Sequence, residues 1–232
     1  MSNSTINISI EGNIGAGKST ILSIIQKWLP VNIVLEPHEK WQNVGGHNLL
    51  EKFYTDTPRW AYTFQTYAFV SRILAQQQNQ QLSSINILER SVFSDRYCFA
   101  KNCYESGIMS ALEWQLYKEW FSWLVDAYVS PMKGFIYLQA DPAVCYKRLL
   151  KRNRSEEVNV SLEYLEKIHA KHEKWLIGKN EQYRDVPVLI LECNKDFEHD
   201  IEEQEKHLQS ISEFLNIPKK NNIKKKIQEI AL

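Results

Sequence analysis

Eight consecutive residues, Gly12-Asn13-Ile14-Gly15-Ala16-Gly17-Lys18-Ser19, fit the pattern GxxxxGK[ST] at every position. They follow an apolar run, Ile6 to Ile10, and precede a helical one, Thr20 to Leu29. That is the context in which the pattern binds phosphate. Glycines let the backbone wrap an anion and turn its N–H groups inward. The following helix presents its positive N-terminus to the same anion. On this reading Lys18 reaches the β and γ phosphates and the Ser19 hydroxyl is offered to Mg²⁺. The alternative, a glycine turn that happens to carry Gly-Lys-Ser, leaves the strand–turn–helix context to chance.

A phosphate loop does not separate a GTPase, an ATPase and a small-molecule kinase. A guanine-reading NKxD element is absent, because Asn194-Lys195-Asp196 has the wrong spacing. No apolar run ends in the aspartate of a standard Walker B element; the third such run ends in Glu89-Arg90-Ser91. Glu36 closes the second run, where ligands of open α/β sheets bind. A carboxylate there can accept a hydroxyl proton, although a solvated acid beside Pro37 fits the local sequence equally. Glu89-Arg90 is either a surface ion pair worth little or a charged pair at the mouth of a buried strand. Arg148 and Arg152 are four apart, on one helical face, and Arg154 follows. Such arginines close over a phosphoryl group in transfer, or, with Lys147, Lys151 and Lys167 nearby, form a solvated charged face. Gln65, Ala68 and Arg72 fall at i, i+3 and i+7. The Gln65 amide donates and accepts at once, which suits the edge of a base. Asp95 and Phe99, four apart, share another face. Core packing for Phe64 and Phe99, and an exposed ion pair for Arg72 and Asp95, are the plainer alternatives.

The elements that must carry these residues alternate. Short apolar strands are expected at Ile6–Ile10, Asn32–Leu35, Ile85–Leu88, Phe135–Leu138 and Val186–Leu191. Helices are expected at Thr20–Leu29, Trp60–Gln77, Val92–Glu105 and Leu112–Val129, with a basic helix after Asp141-Pro142. The polar tract Gln76 to Gln81 reads as the solvated end of its helix. This order predicts an α/β fold, a parallel sheet covered on both faces. The chain of 232 residues suits one domain, residues 1–218, followed by a lysine-rich tail, 219–232. Lys plus Arg and Asp plus Glu both number 28, so no net charge draws the chain to nucleic acid or membrane. Cys98, Cys103, Cys145 and Cys193 have no metal-ligand spacing and read as reduced thiols. Without a leader or an apolar run of membrane-spanning length, the expected compartment is the cytoplasm.

The ordered set Gly12 to Thr20, Glu36-Pro37 with Trp41, and Glu89-Arg90-Ser91 resembles the deoxynucleoside kinase family. Phe64-Gln65-Thr66-Tyr67, Ser94-Asp95-Arg96-Tyr97, Phe135-Ile136-Tyr137-Leu138 and Leu162 to Leu176 extend the likeness from about Asn7 to about Phe197. The resemblance implies a P-loop kinase fold with a five-stranded parallel sheet, an arginine-rich lid, and a homodimer packed through two helices per subunit. It makes Glu36 the base for a 5′-hydroxyl, with Arg90 touching the same oxygen. Glu89 becomes the Mg²⁺ partner of Ser19, and Lys18, Arg148, Arg152 and Arg154 meet the transferred phosphate. ATP is held by Gly12 to Thr20, Arg148 and Arg152, with Asp196-Phe197 against its adenine. Tyr54 and Glu157 match the pair on the 3′-hydroxyl, and Tyr54 crowds the 2′ position. Phe64 and Phe99 match the aromatic sandwich of the base, with Trp41, Leu50, Gln65, Ala68, Arg72 and Asp95 completing the pocket. The expected activity is ATP:deoxynucleoside 5′-phosphotransferase on deoxycytidine, deoxyadenosine or deoxyguanosine. The stretch Phe135 to Arg148 leans toward the purine branch. A thymidine-type or broad-specificity enzyme and a non-catalytic scaffold are the rivals within the family. Outside it, a nucleoside monophosphate kinase would need arginines where this chain has Glu36, His38 and Glu39.

Overall fold

The structure is a computed structural model and describes residues 5–79, 84–178 and 185–218. The lysine-rich tail expected at 219–232 lies outside the described residues. Along the chain, β1 (Ile6–Gly12) leads into α1 (Lys18–Trp28), then β2 (Asn32–Val34), α2 (His38–Gln42), α3 (Leu49–Thr55) and α4 (Thr57–Asn79). Next come β3 (Ile85–Glu89), α5 (Val92–Ser94), a π-helical turn at Asp95–Ala100, α6 (Lys101–Glu105) and α7 (Ala111–Tyr128). Then follow β4 (Met132–Gln139), α8 (Pro142–Arg152), a 3₁₀ turn at Ser155–Glu157 and α9 (Leu162–His172). A second π turn at Glu173–Ile177, β5 (Val188–Glu192) and α10 (Ile201–Leu215) end the described fold. The strands form one five-stranded sheet in the order β2-β3-β1-β4-β5, every pair parallel.

Side chains alternate across a strand, and β4 divides the interior by that rule. Phe135 and Tyr137 join one core with Phe69, Phe93 and Phe121; Ile136 and Leu138 join the other with Ile21, Ile25 and Leu208. The central strand β1 breaks the pattern. Ile8 and Ile10 serve the second core, but the alternating set is Asn7, Ser9 and Glu11, all fully buried. Buried polar groups need partners. Ser9 Oγ donates to Glu11 at 2.8 Å, and the Asn86 amide donates to Asn7 Oδ1. Glu11, at the carboxyl end of this row, also accepts from Ser91.

Register decides which strand ends meet. Ile10 lies opposite Glu89, Gly12 opposite Leu138, and Val34 opposite Leu88. The phosphate loop, Glu36 and Glu89-Arg90 therefore emerge side by side at the carboxyl edge of the sheet, where strand order reverses.

Several elements differ from the sequence expectation. β1 runs on through Gly12, because Glu11 is bonded inside rather than solvated. The helix expected at Val92–Glu105 is interrupted by the π turn, which re-aims side chains by widening the coil. Gln76 is buried, not solvated; Gln77 and Gln78 are exposed, and 80–81 lie outside the described residues. The short α2 and α3, and α10, had no counterpart in the reading of periodicity. No helix among the described residues is long and apolar enough to cross a membrane.

Candidate active site

The phosphate loop is shaped by its glycines. Gly15, at φ +79°, has Cys145 O of α8 only 2.4 Å from where a Cβ would stand. Gly17, at φ +100°, has the Phe197 ring at 2.4 Å. Side chains at either position would push α8 or Phe197 off the loop and are disfavoured by backbone conformation as well. Gly12, Asn13 and Ala16 lie behind the loop: the Asn13 amide donates to Leu165 O, and Gly12 O accepts from both Lys18 and Arg90. Lys18 Nζ also donates to Asn13 O at 2.7 Å. Burial, and then Arg90, push the Lys18 ammonium down to about 7. A polyphosphate placed beside it would favour the charged form.

Ser19 Oγ donates to Glu89 Oε1 at 2.9 Å. A hydroxyl and a carboxylate oxygen side by side at the phosphate loop fit Mg²⁺, which takes oxygen ligands and keeps several waters.

Beside them lies a buried charge cluster. Arg72 on α4 meets Asp95 with two nitrogens, at 2.7 and 3.0 Å, and reaches Glu36 Oε1 at 2.7 Å. Arg90 Nη1 donates to both Glu36 oxygens, at 3.3 and 3.2 Å. His38 Nε2 stands 3.0 Å from Glu36 Oε2. Burial alone would raise the Glu36 carboxyl, but Arg90, Arg72 and His38 outweigh it and hold it well below the usual range. Arg72 is raised, because Asp95 and Glu36 overcome the effect of burial. Burial also lifts Asp95, more than Arg72 lowers it. A carboxyl gripped at two points by an always-charged guanidinium stays ionised all the same. The Arg72–Asp95 pair is thus an interior pair, not the exposed one that sequence alone allowed.

Arg90 has φ +60°, a left-handed backbone that costs a non-glycine residue about 1–2 kcal/mol. Its neighbours hold it there. Arg90 N donates to Ile10 O, and Ser91 donates through both N and Oγ to Glu11 Oε1, at 2.9 and 2.6 Å. The guanidinium then lies over the Phe99 ring, 4.9 Å from its centroid.

Lys18, Ser19, Glu36, His38, Arg72, Glu89, Arg90, Asp95 and Phe99 line one cavity of about 740 Å³. Of the base-pocket residues expected from sequence, Trp41, Leu50, Tyr54, Phe64, Gln65, Ala68, Arg72, Asp95 and Phe99 all reach it. Phe64 stacks on Phe53 at 4.6 Å, and Trp41 Nε1 donates to Ser71 Oγ at 2.8 Å, so the aromatic wall is fixed. The π turn carries Asp95 at its start and Phe99 near its end, where a regular helix was expected.

The basic helix forms the opposite wall. Arg148 donates to Cys193 O and Lys195 O at 2.8 and 2.7 Å, clamping the loop that bears Asp196 and Phe197. Arg152 donates to Glu157 at 2.6 Å, and Arg154 lies 3.8 Å from the same carboxylate. All three arginines line the cavity, with their heads on protein oxygens. Sequence reasoning missed Phe53, Tyr164, Lys147, Lys151 and Asn194 on the lining, and the roles of Glu11 and His38. Only His38 carried a local signal, two residues past Glu36.

A family model described as "Deoxynucleoside kinase" matches residues 8–216. The chain is similar to "Deoxycytidine kinase 2" of Gallus gallus, 41% identical over 240 residues, with 90% of this chain and 89% of the relative covered. It is 44% identical over 211 residues to a "Probable deoxycytidine kinase" of Fowlpox virus (strain NVSL), covering 90% and 88%. It is 40% identical over 222 residues to "Deoxyguanosine kinase, mitochondrial" of Xenopus laevis, covering 83% of each.

Proposed function

The chain belongs to the deoxynucleoside kinase family, and we propose that it transfers the γ-phosphate of ATP to the 5′-hydroxyl of deoxycytidine, deoxyadenosine or deoxyguanosine, in salvage of DNA precursors. The observation that carries this reading is the single cavity in which Lys18 and the Ser19–Glu89 pair stand beside the Glu36–Arg72–Arg90–Asp95 cluster. One end has the groups for a polyphosphate and the other a carboxylate within an aromatic pocket.

Glu36 accepts the hydrogen of the 5′-hydroxyl, and Arg90, on both Glu36 oxygens, orients it. A carboxylate held so firmly in the ionised state is a modest base. That suffices, because phosphoryl transfer is largely dissociative and positioning supplies most of the acceleration. Ser19 and Glu89 would hold Mg²⁺, which when bound neutralises charge on the β and γ oxygens. Lys18 takes the same phosphates, and Arg148, Arg152 and Arg154 stabilise the transferring group after exchanging their present partners for it. Tyr54 and Glu157 hold the 3′-hydroxyl, and Asp196-Phe197 border the adenine of ATP.

Base choice follows from the Arg72–Asp95 pair beside Gln65 and Ala68. A fixed donor–acceptor pair suits an exocyclic amine or a purine edge. The C5 methyl of thymine would displace those hydrogen bonds and leave buried charge partly unpaired. Thymidine is therefore a poor substrate; among the rest, the likeness of Phe135 to Arg148 to the purine branch leans toward purines. A panel of four deoxynucleosides and four ribonucleosides with Mg-ATP, scored for monophosphate, tests this; preference for thymidine sinks the base assignment, and no product from any of them sinks the activity.

The same reading makes the protein a homodimer. The outer face of α7 exposes Leu112, Leu116, Trp120, Trp123 and Tyr128, an apolar patch of the kind that marks interfaces. A monomer mass by light scattering at micromolar concentration refutes it.

A further inference from the structure

His38 differs from the other partners of Glu36. Arg72 and Arg90 are guanidiniums, charged at every working pH. An imidazole changes its charge near about pH 6.5. The ring's place is fixed: it lies edge-on to Trp41, 5.0 Å between centroids, and Trp41 is itself pinned to Ser71. His38 N donates to Glu36 O at 2.8 Å, which ties the two residues through the backbone too. The His38 side chain is 31% exposed and lines the cavity, so solvent reaches it while it touches a carboxylate that is only 3% exposed.

Resting on Glu36 as acceptor of the hydroxyl proton, we propose that His38 is a positioning residue that tunes this base: the neutral ring holds Oε2 in place, and the protonated ring makes the carboxylate a weaker proton acceptor. Oε1 is held by Arg72 and Arg90 and Oε2 by Arg90 and His38, so the imidazole is the one partner of Oε2 without a permanent charge. The neutral ring with its proton on Nε2 still donates to it. The acceptor is already ionised, so protonation adds an ion pair and sets a full positive charge 3.0 Å from the oxygen. A less basic acceptor takes a proton more slowly.

The charged groups around the pair do not supply the same switch. Arg72 and Asp95 are locked together, and Arg90 and Glu89 sit at the strand end. Glu39 and Lys40, on the histidine's own helix, are exposed. Lys18, pushed down to about 7, also changes charge in this range. A raw pH profile mixes the two, whereas the ratio of two variants that share Lys18 does not.

The test is the single-turnover rate of monophosphate formation with saturating Mg-ATP and deoxynucleoside, from pH 5.5 to 8.5. Wild type, His38→Gln and Glu36→Gln are compared. Glutamine keeps a donor without the charge. The expected His38→Gln to wild-type ratio is about 3–10 at pH 5.5 and falls to about 1 by pH 8, with the deoxynucleoside KM within about twofold throughout. A ratio that does not change with pH, at any value, overturns the proposal, since a purely structural histidine gives that result. Near wild-type turnover by Glu36→Gln overturns it through the base instead, and takes the reading of Glu36 with it.

Discussion

On the acceptor wall of the cavity, the side chains of Glu36, Arg72, Arg90 and Asp95 are 3–8% exposed and bonded mainly to one another. On the wall formed by the basic helix, the side chains of Arg152 and Arg154 are 34% and 39% exposed. The first wall rests on strand ends and α4, whose backbone is held by the sheet and the aromatic core. The second rests on the end of α8 and a single 3₁₀ turn. Both walls are rich in arginine, yet their arginines do different work. Buried ones fix two carboxylates, because any movement leaves an unpaired charge in the interior. Exposed ones exchange one oxygen partner for another at little cost. On the function proposed above, the first wall selects the acceptor and the second closes over the phosphate.

The contrast is broken most severely at its centre. Glu36→Gln should lower the turnover number by about 10²–10⁴ while ATP binding persists, and should lower the melting temperature because Arg90 loses its buried counter-charge. Nearly wild-type turnover would move the base elsewhere. Next, Arg72→Met should cost about 3–5 kcal/mol of stability in urea unfolding, since it strands Asp95 and half of Glu36. Adding Asp95→Ala should restore part of that loss and raise kcat/KM for thymidine relative to the other deoxynucleosides. If the double variant gains no relative thymidine activity, the pair is not the discriminator.

A smaller effect tests the packing of α9 on β4. His172 on α9 stacks on Tyr137 with an interplanar angle of 2°, and its Nδ1 meets Ile168 O at 2.8 Å. Burial pushes its imidazole down to about 3. Between about pH 3 and 6.5 the unfolded chain binds a proton there that the folded chain does not, so stability rises with pH across that window. Acidification from pH 7.5 to 5 should therefore remove about 2 kcal/mol, and His172→Phe should abolish that part of the slope. An unchanged slope in the variant would show that His172 is not the group responsible. The smallest expected change in stability is on the lid itself. Arg154→Ala should shift unfolding by less than about 0.5 kcal/mol but slow turnover about tenfold. A variant that unfolds easily yet turns over normally would reverse the assignment of the two walls.

What was legible in the sequence is what neighbouring residues encode by themselves. The phosphate loop needs glycines, a lysine and a hydroxyl in one short run, so composition and order reveal it. Gln65, Ala68 and Arg72 were readable because helical spacing is local, and the five strands because apolar runs between turns are local too. Tertiary structure decided the rest. Residues 36, 72, 90 and 95 become one cluster only because the register of β1, β2 and β3 brings the strand ends level and α4 crosses behind them. Nothing in the local sequence marks Glu11 as the group that holds Ser91, since a carboxylate inside a sheet is costly unless distant donors meet it. The π turn that places Asp95 and Phe99, and the loop that Arg148 clamps, also depend on contacts across the fold. Charge and spacing name the groups that can do chemistry; burial and long-range pairing determine which of them are fixed, which can exchange partners, and how strongly each holds its proton.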